Sequence, residues 1–316
     1  MTVTLDDIKQ AYQRIQPYIH CTPILQSTQL NKLFTCELFF KADNMQKVGA
    51  FKARGACNAL FSMTQEVLAN GVITHSSGNH GAALAWAAAM RNASCTVVMP
   101  ENAPQAKKDA VLSYGATVVY CEPTMTAREG TVTRLIEQQG ARLVHPYDDD
   151  LIIAGQGTAT LETLAQLDKP ADVLMTPVGG GGLLGGSAIV VKQSPHAGVT
   201  RVIGAEPEAA NDAWLGFRSG TRLAEFVPNT IADGLRGTVG VRNFEIITQH
   251  VDDILLASEA RIVEAMKLIW TRLKIVVEPS AAVPLAAIMD QPEQFNGKRV
   301  AIILSGGNLD LDALPW

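Results

Sequence analysis

Charge is sparse in this sequence, and no stretch concentrates it. Only 18% of the 316 residues are charged, and 31 acids against 26 lysines and arginines leave a net charge of −5. Without a basic stripe, nucleic acid and anionic membranes are not expected as partners. Long hydrophobic runs are also missing. The longest weakly polar stretch, 81–90, is too short to cross a bilayer, and residues 1–9 carry two acids and no apolar core, unlike a secretory signal. Cysteine is scarce: Cys21, Cys36, Cys57, Cys95 and Cys121 are odd in number and widely spaced. That excludes a disulfide frame or a zinc-finger spacing, and fits reduced thiols in a cytoplasmic protein. No repeat of fixed period and no low-complexity tract is present.

Apolar residues are plentiful, at 47%, enough to bury a sizeable core. From residue 71 the chain alternates between short apolar runs and helical patterns. Strands are expected at 72–74, 95–99, 117–120 and 143–144, with helices at 79–90, 104–114 and 126–139. A helix over 151–167 leads to a strand at 172–177. Further strands are expected at 201–205, 254–256 and 300–304, and helices at 258–273 and 279–289. Residues 207–250 give no clear pattern. Strands alternating with helices predict an α/β fold with parallel sheets covered on both faces. The run 71–148 reads as a small domain inserted into a larger one formed by 1–70 and 149–316.

The expected strand at 172–177 runs straight into Gly179, Gly180, Gly181 and Gly182, followed by Leu183 and a small, apolar helix pattern. A strand, a glycine turn and a helix start together cradle an anion, because free N–H groups and the helix dipole both face it. A flexible linker would be polar and would lack two apolar flanks. Two other expected strands also end in glycine-containing polar turns, Ser76 to Gly81 and Ser305 to Asn308. Ligands of open parallel sheets sit beyond the carboxyl ends of the strands, so the three turns are expected to line one cleft. The run Gly180 to Gly185 also satisfies G-x-G-x-x-G, with Glu206 at the end of the next strand. This leaves a nicotinamide oxidoreductase as a rival.

Lys52, in Gly49-Ala50-Phe51-Lys52, stands beside an aromatic ring at an expected helix start. Apolar surroundings and a positive helix end lower a lysine's pKa and make it a usable nucleophile. This stretch, the Ser76 turn, the glycine run and the Ser305 turn together resemble, in the same order, the signatures of fold-type II pyridoxal 5′-phosphate enzymes. The resemblance is nearest to the branch of serine racemases, serine/threonine dehydratases and 3-hydroxyaspartate dehydratases. It implies two tryptophan synthase β-like α/β domains with the active site in the cleft between them. Lys52 then matches the lysine that carries the cofactor and acts as base, and Phe51 matches the residue packed by its ring. Gly179 to Gly182, with Leu183, match the phosphate loop. Asn79 matches the partner of the ring hydroxyl, and Ser305 that of the pyridine nitrogen. Ser76, Ser77, Asn79 and His80 match the turn for the substrate carboxylate. Ser77 also matches the acid/base on the opposite face, and Arg128 an arginine that approaches the substrate.

Glu206 and Asp212 lie six residues apart on an acidic loop. By spacing alone this is an ordinary solvated loop. In the resemblance, Glu206, the Ala210 carbonyl and Asp212 match ligands of a divalent cation, Mg²⁺, Ca²⁺ or Mn²⁺. Tyr114, Lys274 and Asn308 match positions of a nucleotide effector site, but Ala82 replaces a glutamine there, so nucleotide regulation is not predicted. His145 and His250 show no partners in the sequence. The implied activity is β-elimination from a small β-hydroxy amino acid by a homodimer without a C-terminal regulatory domain. 3-Hydroxyaspartate is favoured because Gly-Ala-Phe-Lys replaces the Gly-Ser-Phe-Lys usual in threonine and serine dehydratases. Arg128 or His80 is expected to meet the second carboxylate. Serine/threonine dehydration and serine racemisation are the alternatives.

Overall fold

The computed structural model describes residues 3–76 and 78–316. Its strands are β1 (Ile24–Leu25), β2 (Glu37–Lys41), β3 (Val72–His75), β4 (Cys95–Pro100), β5 (Thr117–Cys121), β6 (Arg142–Leu143), β7 (Val173–Pro177), β8 (Arg201–Pro207), β9 (Asp253–Ala257) and β10 (Arg299–Ile303). They form two sheets. The larger runs β1-β2-β10-β7-β8-β9 and the smaller β5-β4-β3-β6. Only the β1–β2 pair is antiparallel. Buried on both faces, the inner strands are apolar throughout instead of alternating: β3, β7 and β10 carry hardly an exposed residue. The α/β architecture with two parallel-sheet domains is the one expected from the alternating pattern.

One helix joins the parts. Asp150–Gln166 begins at an Asp149 cap, whose carboxylate accepts the N–H groups of Leu151 and Ile152 at 2.8 and 3.2 Å. Within the run Asp148-Asp149-Asp150, Asp149 is therefore the helix cap. Along its length this helix packs against Lys52–Phe61 on one side and Gly182–Lys192 on the other. Glycines allow both approaches. A Cβ on Gly155 would stand 2.5 Å from the Gly55 Cα, and one on Gly186 would stand 2.6 Å from the Ile153 carbonyl and 2.7 Å from the Gly157 nitrogen.

A fully buried charge cluster fixes the first of these crossings. The Arg54 guanidinium grips Asp43 through Nε and Nη2, at 2.7 and 2.9 Å, and Glu162 through Nη1 and Nη2, both at 2.9 Å. Lys41 Nζ adds a bond to Glu162 at 2.7 Å, and Thr22 donates to Asp43 at 2.6 Å. Two cations meet two anions with their hydrogen-bonding capacity largely used, the condition under which charges tolerate burial. Burial alone would raise the Asp43 carboxyl; the charge and hydrogen bonds of Arg54 outweigh it and hold it below the ordinary range.

Gly155→Ala tests the crossing. In an open helix this change stabilises by roughly 0.5–1 kcal/mol. Here backbone must move, and a loss of about 1–3 kcal/mol is expected in urea unfolding.

Candidate active site

The first and last of the four sequence signatures are hydrogen-bonded to each other. Phe51 N donates to the Ser305 carbonyl at 3.0 Å and Gly307 N to the Gly49 carbonyl at 2.9 Å, around an Ala50–Gly306 bridge. Lys52 therefore starts its helix directly beside the carboxyl end of β10. Phe51 packs against Leu183, Ala159 and Ile303, which brings in the start of the glycine-run helix. Asn79, the first residue of Asn79–Met90, crosses from the smaller sheet's side. Its Nδ2 donates to Glu278 Oε1 at 2.8 Å, and its Oδ1 accepts from Asn308 Nδ2 at 2.9 Å. With both ends of the amide engaged, its orientation is set. Lys52, Phe51, Asn79, Leu183 and Ser305 are thus tied into one region by these contacts, with the Asn308 amide joining Asn79 to the Val48 carbonyl.

Lys52 Nζ donates to the Pro146 carbonyl at 2.7 Å and lies 5.2 Å from the Phe51 ring centroid. Burial pushes its pKa down to about 8, against a smaller upward pull from Glu278. Burial likewise raises Glu278 to about 7. The Ser305 hydroxyl is buried and has no hydrogen-bond partner among the described residues, and the same is true of Glu278 Oε2. An orphaned buried hydroxyl in this region suits a ring nitrogen. In the glycine run, Gly181 adopts φ +90° and a Cβ on Gly180 would enter the Tyr147 ring. The helix Gly182–Lys192 opens immediately after it, with first-turn N–H groups that have no acceptor within the helix. Lysine, hydroxyl, amide and N–H cradle are the set that a phosphorylated pyridine aldehyde requires.

Ser76 Oγ accepts from Gly78 N at 3.2 Å. Ser77 lies outside the described residues. His80 Nε2 donates to the Val144 carbonyl at 3.3 Å, and its Nδ1 has no partner among the described residues. Burial, then the Lys52 charge, hold His80 well below the usual imidazole range. Both influences favour the uncharged imidazole and work against a cationic role for His80. Arg128 belongs to Met125–Gln139, and its Nε is buried without a partner among the described residues.

Glu206 and Asp212 are both buried. Glu206 accepts from Ala213 and Trp214 N–H at 3.1 and 2.9 Å, and Asp212 from Val239 N–H at 2.9 Å. Burial raises both, Asp212 to about 6 and Glu206 well above its ordinary value, where Asp212 adds repulsion. Glu206 is therefore no exposed ribose ligand. No group of three or more His, Cys, Asp and Glu side chains suited to a metal occurs among the described residues.

Sequence reasoning misses several contacts. Glu278 stands before Pro279 at a helix start and reads as an ordinary cap. Tyr147 lies against Gly180. His145, for which the sequence shows no partner, accepts the Tyr147 and Asp148 N–H groups at 3.4 and 2.9 Å. Only the return of residues 144–148 to the cleft gives these residues their place, and no local pattern announces it.

A lysine of pKa about 8 is roughly 10% neutral at pH 7, against about 0.03% for an ordinary one. Reductive labelling of the cofactor-free chain by pyridoxal 5′-phosphate and borohydride is expected at Lys52, with a rate that rises through a midpoint near pH 8. A midpoint near 10.5 would contradict the buried setting.

The likeness to known proteins spans the chain. It is 49% identical over 313 residues to the β-hydroxyaspartate dehydratase of Paracoccus denitrificans, covering 99% of this chain and 98% of that protein. The crystal structure of serine racemase from Dictyostelium discoideum superposes with a TM-score of 0.92 at 49% identity, over 98% of this chain and all of the other. That of maize serine racemase gives a TM-score of 0.95 at 38% identity, over 99% and 95% of the two chains. Residues 15–306 match the pyridoxal-phosphate dependent enzymes, and with the buried lysine and its cradle in place the chain belongs to that family.

Proposed function

We propose that this enzyme is a lyase that eliminates the β-hydroxyl of a small β-hydroxy amino acid as water, the unsaturated product then taking up water to give a keto acid and ammonia, with 3-hydroxyaspartate as its preferred substrate. The observation that carries the reaction type is Ser305, a buried hydroxyl without a partner among the described residues. The cofactor supplies the electron sink that makes the substrate's α-hydrogen acidic. Ser305 would offer its ring nitrogen a neutral group, a weak electron sink that would favour loss of a β-hydroxyl over transamination. Lys52, partly neutral at pH 7, takes the α-proton, and the Pro146 carbonyl orients its amine. Asn79, locked by Glu278 and Asn308, meets the ring hydroxyl. The glycine run from Gly179 to Gly182 holds the phosphate. The Ser76–His80 turn, at a helix start, receives the substrate's α-carboxylate. Ser77 is assigned the acid/base on the opposite face, which would also permit racemisation.

The substrate assignment draws on Arg128, a cation with an unused N–H, and on the likeness to a β-hydroxyaspartate dehydratase. Serine or threonine dehydration and serine racemisation are the second reading, favoured by the equally similar serine racemase. Residues 71–148, which hold the whole smaller sheet, are assigned to a small domain that moves against 1–70 and 149–316. A homodimer in the cytoplasm completes the reading.

We also assign a structural divalent cation to Glu206, Asp212 and the Ala210 carbonyl. Two buried carboxylates that repel each other, with the carbonyl two residues before Asp212 in the chain, would form an all-oxygen donor set suited to Mg²⁺, Ca²⁺ or Mn²⁺, with water completing the shell.

Keto-acid release across serine, threonine and the hydroxyaspartate stereoisomers tests the reaction. Oxaloacetate is expected as the dominant product, and Lys52→Ala should abolish it. Dominant pyruvate or 2-oxobutyrate would reject the substrate, and turnover by the alanine variant would reject the mechanism. For the cation, millimolar Mg²⁺ should raise the melting temperature by a few degrees, as about 2.7 kcal/mol accrues at a hundredfold excess over Kd. EDTA should reverse the gain, and Asp212→Asn should remove it.

A further inference from the structure

His75 closes β3 and His145 follows β6, and these strands are neighbours in the smaller sheet. The two rings meet edge to face at 5.4 Å and 85°, and His145 meets Tyr147 at 4.7 Å and 90°. Both histidines therefore stand at the carboxyl ends of adjacent parallel strands, where such sheets bind ligands. One residue beyond His145, the Pro146 carbonyl accepts from Lys52 Nζ, so the pair borders the base. Because His145 Nδ1 accepts two backbone N–H groups, the neutral ring carries its hydrogen on Nε2, on the side away from its own turn.

Arg128 faces the same cluster. Its charge disfavours protonation of His75, after burial and His145, and the His75 pKa falls to about 4. Burial, then the Lys52 charge against the pull of Asp148, also lowers His145. Asp148 and Asp149, the carboxylates that act on His145, are engaged: Asp148 accepts from Val241 and Arg242 N–H, and Asp149 caps its own helix. The cluster thus holds one guanidinium with an unused buried N–H and two imidazoles whose burial favours the uncharged form, with the Glu129 carboxylate near Tyr147.

We propose that His145 and His75, with Arg128, form the subsite for the side-chain carboxylate of an acidic β-hydroxy amino acid and so determine the preference for it over serine and threonine. This rests on the dehydratase reading above and adds the two histidines to it. A carboxylate there satisfies Arg128 Nε and takes N–H bonds from imidazoles that carry no charge of their own. A hydroxymethyl side chain leaves those donors unpaired, and sites built around buried polar groups reject substrates that leave them so.

The holoenzyme decides. His145→Asn keeps an oxygen able to accept the Tyr147 and Asp148 N–H groups but removes the far donor, and His75→Gln alters the second ring. In each, the hydroxyaspartate-to-serine ratio of kcat/KM should fall by roughly tenfold or more, mainly through KM. Succinate, a dicarboxylate without the amino group, should raise the melting temperature of the parent enzyme more than propionate does, and this difference should shrink in both variants. If the preference for hydroxyaspartate survives in folded His145→Asn and His75→Gln proteins, the proposal falls and the dehydratase reading stands. If the parent enzyme shows no such preference, both fall. Should His145→Asn not fold, the ratio measured in His75→Gln decides alone.

Discussion

Arg54, Asp43, Glu162 and Lys41 meet where no water reaches, and everything catalytic hangs from their geometry. Arg54 is two residues from Lys52 on the same helix, and Glu162 is on Asp150–Gln166. Removing one partner of such a cluster strands the others without compensation, at a cost of about 3–5 kcal/mol. The cluster holds the lysine's helix against the long helix, and glycine contacts hold the long helix against the helix that follows the glycine run. The separation between the Lys52 amine and the glycine run is thus set by packed backbone, not by the loops between. That is the preorganisation a cofactor with one reactive carbon and one phosphate demands.

Much of the fold is legible because its signals are local. The alternation from 71 to 143 follows hydrophobic runs with few rivals, and the Asn79–Met90 helix has the bounds its pattern predicts. The Thr4–Asp7 capping box is present. The short helix Thr28–Phe34 escapes the pattern, and so do the elements within 207–250. There, Asp212–Ser219 and Val241–His250 start without side-chain caps of their own. Their first N–H groups are met by Glu206 and Asp148, from elsewhere in the chain. A helix whose cap is remote has no local start signal.

The site divides along the same line. Glycine and serine turns at strand ends are readable, because a parallel sheet gives those positions a shared address. Glu278 and His145 are not. A carboxylate before a proline and a histidine after a short strand have bland local meanings, and they acquire function only through contacts with Asn79 and with the chain's return to the cleft. Burial also works against an inference from residue type: three histidines beside a lysine suggest a positive pocket, yet desolvation pushes the pKa of all three down.

Residues 144–148 leave the smaller sheet for the larger. In five residues they touch His80 through a carbonyl, Lys52 through the next-but-one carbonyl, Gly180 through the Tyr147 ring, and the start of Val241–His250 through Asp148. Four places far apart in sequence therefore share one five-residue support. A displacement of this segment would be felt together at the Lys52 amine, the His80 ring, Gly180 and the start of Val241–His250.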